Sequence, residues 1–291
     1  MTNLFYAVIF SGIMAVGLPL NIVALWILLR HHSLKSPSAV FMVNLAISDL
    51  LLIITLPMRI YFYATGNWGL GKVVCVSITM LFRNNIRSSS IFITFISVDR
   101  LLAVVYPLRS RHLRTPSRAV KGSVLVWLFV LVMNIPEGFN FYKSASSNET
   151  TCFESVPFGH RRPPVSYFYL VLVLILMVIN IVCTAMVSWT LRSHLSDSAQ
   201  VNNKVNVLLI FFLNMVLFII CFLPVSLGAI TVSDSSELTP MICLASVNCC
   251  LDPLLYYFSL DAFWKKKETV DVTREQMTTQ RTEDTHCHGP L

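Results

Sequence analysis

The chain alternates long apolar runs with short polar breaks. Seven runs stand out, at roughly 5–29, 39–63, 73–105, 120–142, 165–191, 205–231 and 238–260. Each is near or above the ~20 residues that an α-helix needs to cross a bilayer. The pattern predicts an all-α membrane protein, a bundle of seven transmembrane helices. Prolines 19, 57, 136, 224 and 253 fall inside these runs, and each removes a backbone donor and kinks its helix. No internal repeat is visible, and an odd helix count without paired broken helices argues against an inverted-repeat transporter. The first run has no charged leader and no small-residue cleavage site, so it reads as a retained membrane helix.

Composition sharpens this picture. Of 291 residues, 55% are hydrophobic and 13% charged, about half the ~25% charged share of an ordinary soluble domain. The net charge of +7 is explained by sidedness rather than by nucleic acid. One side of the expected membrane collects 15 Lys and Arg, the other four, and three lie within helices: Arg59, Arg83 and Arg87. Because cytoplasmic loops hold the excess, the N-terminus is expected outside and the C-terminus in the cytoplasm of a multi-pass plasma-membrane protein. The polar segment 268–291 is expected to be a disordered cytoplasmic tail offering Thr hydroxyls for phosphorylation, with residues 1–267 forming the membrane domain.

Two signals agree with that sidedness. Asn148 opens an Asn-Glu-Thr glycosylation sequon in the long loop between the fourth and fifth runs. Cys75 and Cys152 are the two cysteines expected in oxidising surroundings, and their disulfide would tie that loop to helix three. Cys183, Cys221, Cys243, Cys249 and Cys250 fall inside helices and read as small packing residues.

Polar residues inside membrane helices are costly and mark candidate function. Asp49 lies mid-helix two, Asn85 and Ser89 one turn apart on helix three, and Asn248 and Asp252 one turn apart on helix seven. Together they suggest a buried polar pocket. Two carboxylates there repel unless one is protonated or a cation lies between them, which suggests a sodium or proton site. The alternative is a hydrogen-bond network that only fixes packing. At the inner end of helix three, Asp99 is expected to hold Arg100 in an intrahelical ion pair, a switch that frees a long donor for a partner.

The arginines of LFRNNIRSSSIF, residues 81–92, are the sharpest feature. At ~1.5 Å per residue, Arg83 lies about 12 Å and Arg87 about 18 Å below Cys75, and their i, i+4 spacing puts both on one face. Two guanidiniums in low dielectric call for an anion, and Arg matches phosphate or carboxylate bidentately. Arg59 completes the cluster from helix two. The alternative is internal pairing with Glu137 or Glu154, or snorkelling toward water. No nucleophile–base set or metal-ligand spacing points to an enzyme.

Asn21, LAISD at 45–49, the Asp99-Arg100 pair, Trp127, CFLP at 221–224 and NCCLDPLLYYF at 248–258 resemble the rhodopsin-class (class A) G-protein-coupled receptors. Within that class, GLPLNIVALW at 17–26, LPMRIYFYA at 56–64 and TCFES at 151–155 most resemble the type-5 branch of the lysophosphatidic acid receptors. The resemblance implies coupling to heterotrimeric G proteins, with Asp99, Arg100, Tyr256 and the loop around Pro107 at the coupling surface. It also implies a short amphipathic helix eight from Asp261, with Phe263 and Trp264 at the membrane interface and Lys265 to Lys267 facing anionic lipid. The expected function is a cell-surface receptor for an anionic lipid such as lysophosphatidic acid. An alternative ligand is a small carboxylate, as in the hydroxycarboxylic acid receptors, and a distant alternative is an anion channel or transporter. No cofactor is expected beyond a possible sodium ion.

Overall fold

The computed structural model describes residues 3–31, 34, 36–144, 152–153, 164–193, 201–232 and 235–257. The sequon at Asn148, the alternative partner Glu154, helix eight from Asp261 and the tail 268–291 lie outside the described residues. Among the described residues seven helices are long and apolar enough to cross a membrane. They are α1 (Leu4–His31), α2 (Pro37–Thr65), α3 (Gly71–Val105), α4 (Pro116–Ser144) and α5 (Pro164–Ser193), followed by two interrupted helices. Of these, α6 runs from Val201–Val216 through a π-helical turn, Leu217–Phe222, into Leu223–Thr231. The last, α7, begins as Ser235–Ser246 and continues through 248–257 after a turn at Val247.

Local chemistry sets the ends and interruptions. Ser36 caps α2, its Oγ accepting from the Ala39 N–H at 3.2 Å, while Pro37 occupies the first turn, where a missing N–H costs nothing. Gly66 ends the helix at φ 70, a left-handed conformation that glycine adopts without a Cβ penalty. The wide turn of α6 directly precedes Pro224, whose ring cannot sit over a regular preceding turn. In α7 the irregularity falls at Val247, ahead of Pro253. There the Cys250 N–H reaches back only three residues, to the Val247 carbonyl at 2.9 Å.

Two helices form the centre of the bundle. Of the spanning windows of α2 and α3, 67% and 56% are buried, against 28% for each of α1, α4 and α5. An inner apolar core gathers Leu45, Phe92, Ile96, Val130, Phe218 and Phe222. A second, toward the disulfide end, gathers Leu52, Leu56, Phe62, Trp68 and Phe82. Apolar contact drives no helix association in lipid, so small residues and polar links carry the specificity. Gly17 lets α1 approach α7 closely, for a Cβ there would lie 3.0 Å from Cys249 Sγ. Trp127 donates its indole N–H to Asn44 on α2 at 2.8 Å. Ser97 on α3 donates to Asn180 on α5 and accepts from Asn214 on α6, both at 2.6 Å.

One link follows directly from a proline. Pro253 lacks the N–H that would bond the carbonyl four residues back, at Cys249. Asn21 on α1 supplies the missing donor, its Nδ2 lying 2.7 Å from that carbonyl. Replacing Asn21 with Leu should therefore orphan a buried carbonyl and cost about 0.6–1.7 kcal/mol, the scale of hydrogen bonds between membrane helices. The check is the melting temperature of detergent-solubilised protein. Adding Pro253→Ala to Asn21→Leu should recover much of the loss, because residue 253 then carries its own donor.

Candidate functional site

The disulfide expected between Cys75 and Cys152 is present, with the Cα atoms 5.7 Å apart. It holds Phe153 over the bundle, in contact with the rings of Phe62, Trp68 and Tyr63. Beneath Phe153 opens a cavity of about 150 Å³, walled by α2, α3, α4, α5, α6 and α7. All three intramembrane arginines line it.

Arg59 is 1% exposed. Its guanidinium is sandwiched between Phe82 and Phe153, 4.3 Å from each ring centroid. The rings attract the cation through their quadrupoles, but their carbon edges offer no hydrogen-bond acceptor. Its Nε and Nη1 have no hydrogen-bond partner among the described residues.

Arg83 and Arg87 are arranged differently, and here one expectation is corrected. They do not stand as two bare cations awaiting an anion, because Glu137 of α4 bridges them, one carboxylate oxygen to each. Low dielectric makes a nearby counter-ion all but obligatory for buried charge, and α4 supplies it. Arg87 also donates to Asn134, which in turn donates to Asn84 at 3.1 Å. Its guanidinium lies 3.6 Å from the ring centroid of Tyr169 on α5. Among the described residues of the wall, three guanidiniums face one carboxylate, a formal excess of two positive charges. Glu137 was legible in the sequence only as an alternative partner. Asn134, Tyr169, Phe82 and Phe153 were missed, although Asn134 and Glu137, three apart in an otherwise apolar helix, carried the usual signal of intramembrane polarity.

Below this cavity the expected polar pocket is assembled. Asn85 donates to Asp49 at 3.0 Å and to Ser89 at 3.2 Å, and Asn248 donates to Asn85 at 3.4 Å. Asp252 is fully buried and close enough to Asp49 to interact electrostatically. Four buried oxygens here, Asp49 Oδ2, Asn248 Oδ1 and both of Asp252, have no hydrogen-bond partner among the described residues. An all-oxygen set with two carboxylates fits a small hard cation.

At the opposite end of α3, the ion pair differs from expectation. Asp99 does not hold Arg100. Adjacent helical residues point about 100° apart, and here Asp99 turns toward α2 and the segment after α3. It accepts from Ser38 and pairs with Arg114, whose Nε and Nη2 lie 2.8 and 3.2 Å from its oxygens. Arg100 is half-buried, and its Nε has no partner among the described residues. Pro107 is exposed in the turns that carry Arg114 back to Asp99, and Tyr256 is buried in the inner core.

Seven spanning helices, a disulfide tying the third to the following loop, and a cavity below that loop define a membrane receptor. The chain belongs to the seven-transmembrane receptors of the rhodopsin family, whose family model matches residues 20–256. This is a receptor family and not an enzyme family. Among its relatives are lysophosphatidic acid receptor 6 of chicken (Gallus gallus), 36% identical across 88% of this chain and 90% of that protein, and lysophosphatidic acid receptor 6 of mouse (Mus musculus), 34% identical across 88% and 80%. Lysophosphatidic acid receptor 5 of cattle (Bos taurus) is 35% identical across 89% and 76%. The resemblance to the lysophosphatidic acid receptors therefore holds, and identities this close do not choose among their types.

The pairing of Asp99 gives a direct test. Arg114→Gln should destabilise the detergent-solubilised protein by about 1–3 kcal/mol, the cost of removing a charged partner from a buried group. Arg100→Gln should leave the melting temperature nearly unchanged. Equal losses would restore the intrahelical pair.

Proposed function

We propose that this protein is a cell-surface receptor for an anionic lipid of the lysophosphatidic acid type. The carrying observation is Arg59, a buried guanidinium lying over two aromatic rings, whose Nε and Nη1 have no hydrogen-bond partner among the described residues, at the edge of a cavity whose described wall carries a cationic excess. A phosphate presents coplanar acceptor oxygens that match such a fork bidentately. Leu172, Val173, Val225 and Ile242 give the cavity an apolar wall, which suits an acyl chain. The names of the relatives support the same reading, and those reported above offer no support for a small carboxylate.

The receptor is proposed to lie with its N-terminus outside and its C-terminus in the cytoplasm of the plasma membrane, on the strength of the Lys and Arg asymmetry. Heterotrimeric G protein then meets the end of α3, where Arg100, Pro107 and the Asp99–Arg114 pair lie, with Tyr256 buried behind them. Opening of α6 about its π turn and Pro224 is the motion that such coupling needs. Asp49, Asn85, Ser89, Asn248 and Asp252 are proposed to hold a sodium ion that favours the unopened bundle.

Arg59→Ala should weaken an acidic agonist by roughly 30-fold or more, from the ~2–5 kcal/mol lost when one arm of a buried charge-assisted contact is removed. Arg59→Lys should rescue only part, because an ammonium cannot make the planar contact. Affinity per surface receptor for lysophosphatidic acid, with the matching monoacylglycerol as neutral control, decides the matter. Equal affinity of Arg59→Ala and parent for the acidic lipid would sink the proposal.

For the sodium site, Asp49→Asn should remove the sodium dependence of agonist affinity, because it takes away one of two carboxylates facing the ion. Agonist binding titrated with sodium chloride, against the chloride of a bulky organic cation as ionic-strength control, reads this out. An unaltered sodium response in the variant rules the site out.

A further inference from the structure

The headgroup end of the cavity already contains an anion. Glu137 is 3% exposed and reaches from α4 to place one carboxylate oxygen on Arg83 and the other on Arg87. That is the bridging position that a ligand's acidic group would otherwise take. Its own helix tethers it there, so it pays none of the translational entropy that a free ligand loses on binding. Arg87 is further held by Asn134 and by the Tyr169 ring, whereas Arg83 keeps 26% of its side chain exposed toward the cavity. Among the described residues the cluster is thus one fixed cation with its counter-ion, one half-free cation sharing that counter-ion, and Arg59, which forms no ion pair.

We infer that Glu137 is a specificity-determining residue, a tethered competitor for Arg83 that sets how strongly the cavity attracts anions and how it discriminates among them by charge. The inference rests on the acidic-lipid reading above. Three guanidiniums alone would bind any acid, including abundant monoanionic fatty acids. Among the described residues Glu137 lowers the formal excess from three positive charges to two, which weakens the pull on every acid. A phosphate monoester, whose second ionisation lies near pH 6 and which is mainly a dianion at neutral pH, still gains most from what remains.

The electrostatics make a graded prediction. Removing a negative charge beside the binding position helps each ligand in proportion to that ligand's own charge. Even the aqueous limit of the Coulomb interaction at contact distance is worth about fivefold per charge. Glu137→Gln keeps the shape and one carbonyl acceptor, so it should raise affinity about fivefold for a fatty acid and about 25-fold for lysophosphatidic acid, with no change for the monoacylglycerol of the same chain. Glu137→Asp, which keeps the charge, should stay much nearer the parent. Discrimination between the dianion and the monoanion would thereby widen in favour of the phosphate, while the receptor would begin to answer fatty acid at lower concentration.

The measurement is equilibrium binding of those three lipids to vesicles containing the full-length receptor, normalised to folded protein. Gains ordered by ligand charge support the competitor role. Unchanged affinities, equal gains for all three lipids, or a loss confined to the acids, as when Glu137 merely positions the arginines, overturn it. Should Glu137→Gln fail to fold, the same comparison is made in the Arg83→Gln background, where only Arg87 rather than two arginines is left without Glu137. There the second substitution must still raise affinity for the acids, returning the double variant toward the parent because its formal excess is again two charges. Parent receptor that binds monoacylglycerol as tightly as lysophosphatidic acid refutes the acidic-lipid reading itself. A charge-selective parent with an unresponsive Glu137→Gln variant refutes only the role of Glu137.

Discussion

Hydrocarbon cannot hydrogen-bond, so every polar atom that this chain takes into the membrane must find its partner within the bundle. That constraint organises the interior more than apolar contact does, because lipid tails are as apolar as the helices themselves. Asn21 answers the carbonyl that Pro253 leaves free, Ser97 joins α5 to α6 through Asn180 and Asn214, and Trp127 ties α4 to α2 through Asn44. Each link uses a residue that a soluble core would replace with a better-packing apolar one. The helices are thereby fixed in register and rotation.

Where the constraint is left unmet, the molecule offers sites. The unpartnered N–H groups of Arg59 and the unpartnered oxygens of Asp49, Asn248 and Asp252 have opposite needs, an anion for the first and a cation for the second. They lie at successive depths along the face shared by α2 and α3. Helix three carries members of both sites on one continuous rod, together with Asp99 at its far end. In the function proposed above, a ligand at the upper cluster and an ion at the lower one would both act on the helix that carries Arg100.

Phe153 shows how covalent and electrostatic effects combine. The disulfide fixes Cys152, the next residue lays its ring on Arg59, and the stacking turns a buried charge into one whose edges alone remain open. Among the described residues no carboxylate forms an ion pair with it. At Arg83 and Arg87 the opposite solution holds, with a countercharge shared between two cations.

Much of this was legible in the chain. Length and apolarity of the runs decided seven spanning helices, because the hydrophobic requirement of a bilayer acts on each segment independently of the others. Intramembrane polarity singled out Arg59, Arg83 and Arg87 and the pocket around Asp49, because a polar residue in hydrocarbon demands a reason wherever it falls. Helical rotation was legible too, and it sets Asp99 and Arg100 about 100° apart on the helix, which leaves Asp99 free to meet Arg114 instead. Only the tertiary structure decided partners. That Asp99 meets Arg114, that Glu137 closes on two arginines, and that Phe153 lies against Arg59 depend on how the chain packs in three dimensions. Those contacts join residues 15 to 94 positions apart along the chain, and spacing along a helix, the quantity that sequence reports most directly, says nothing about which neighbour stands opposite.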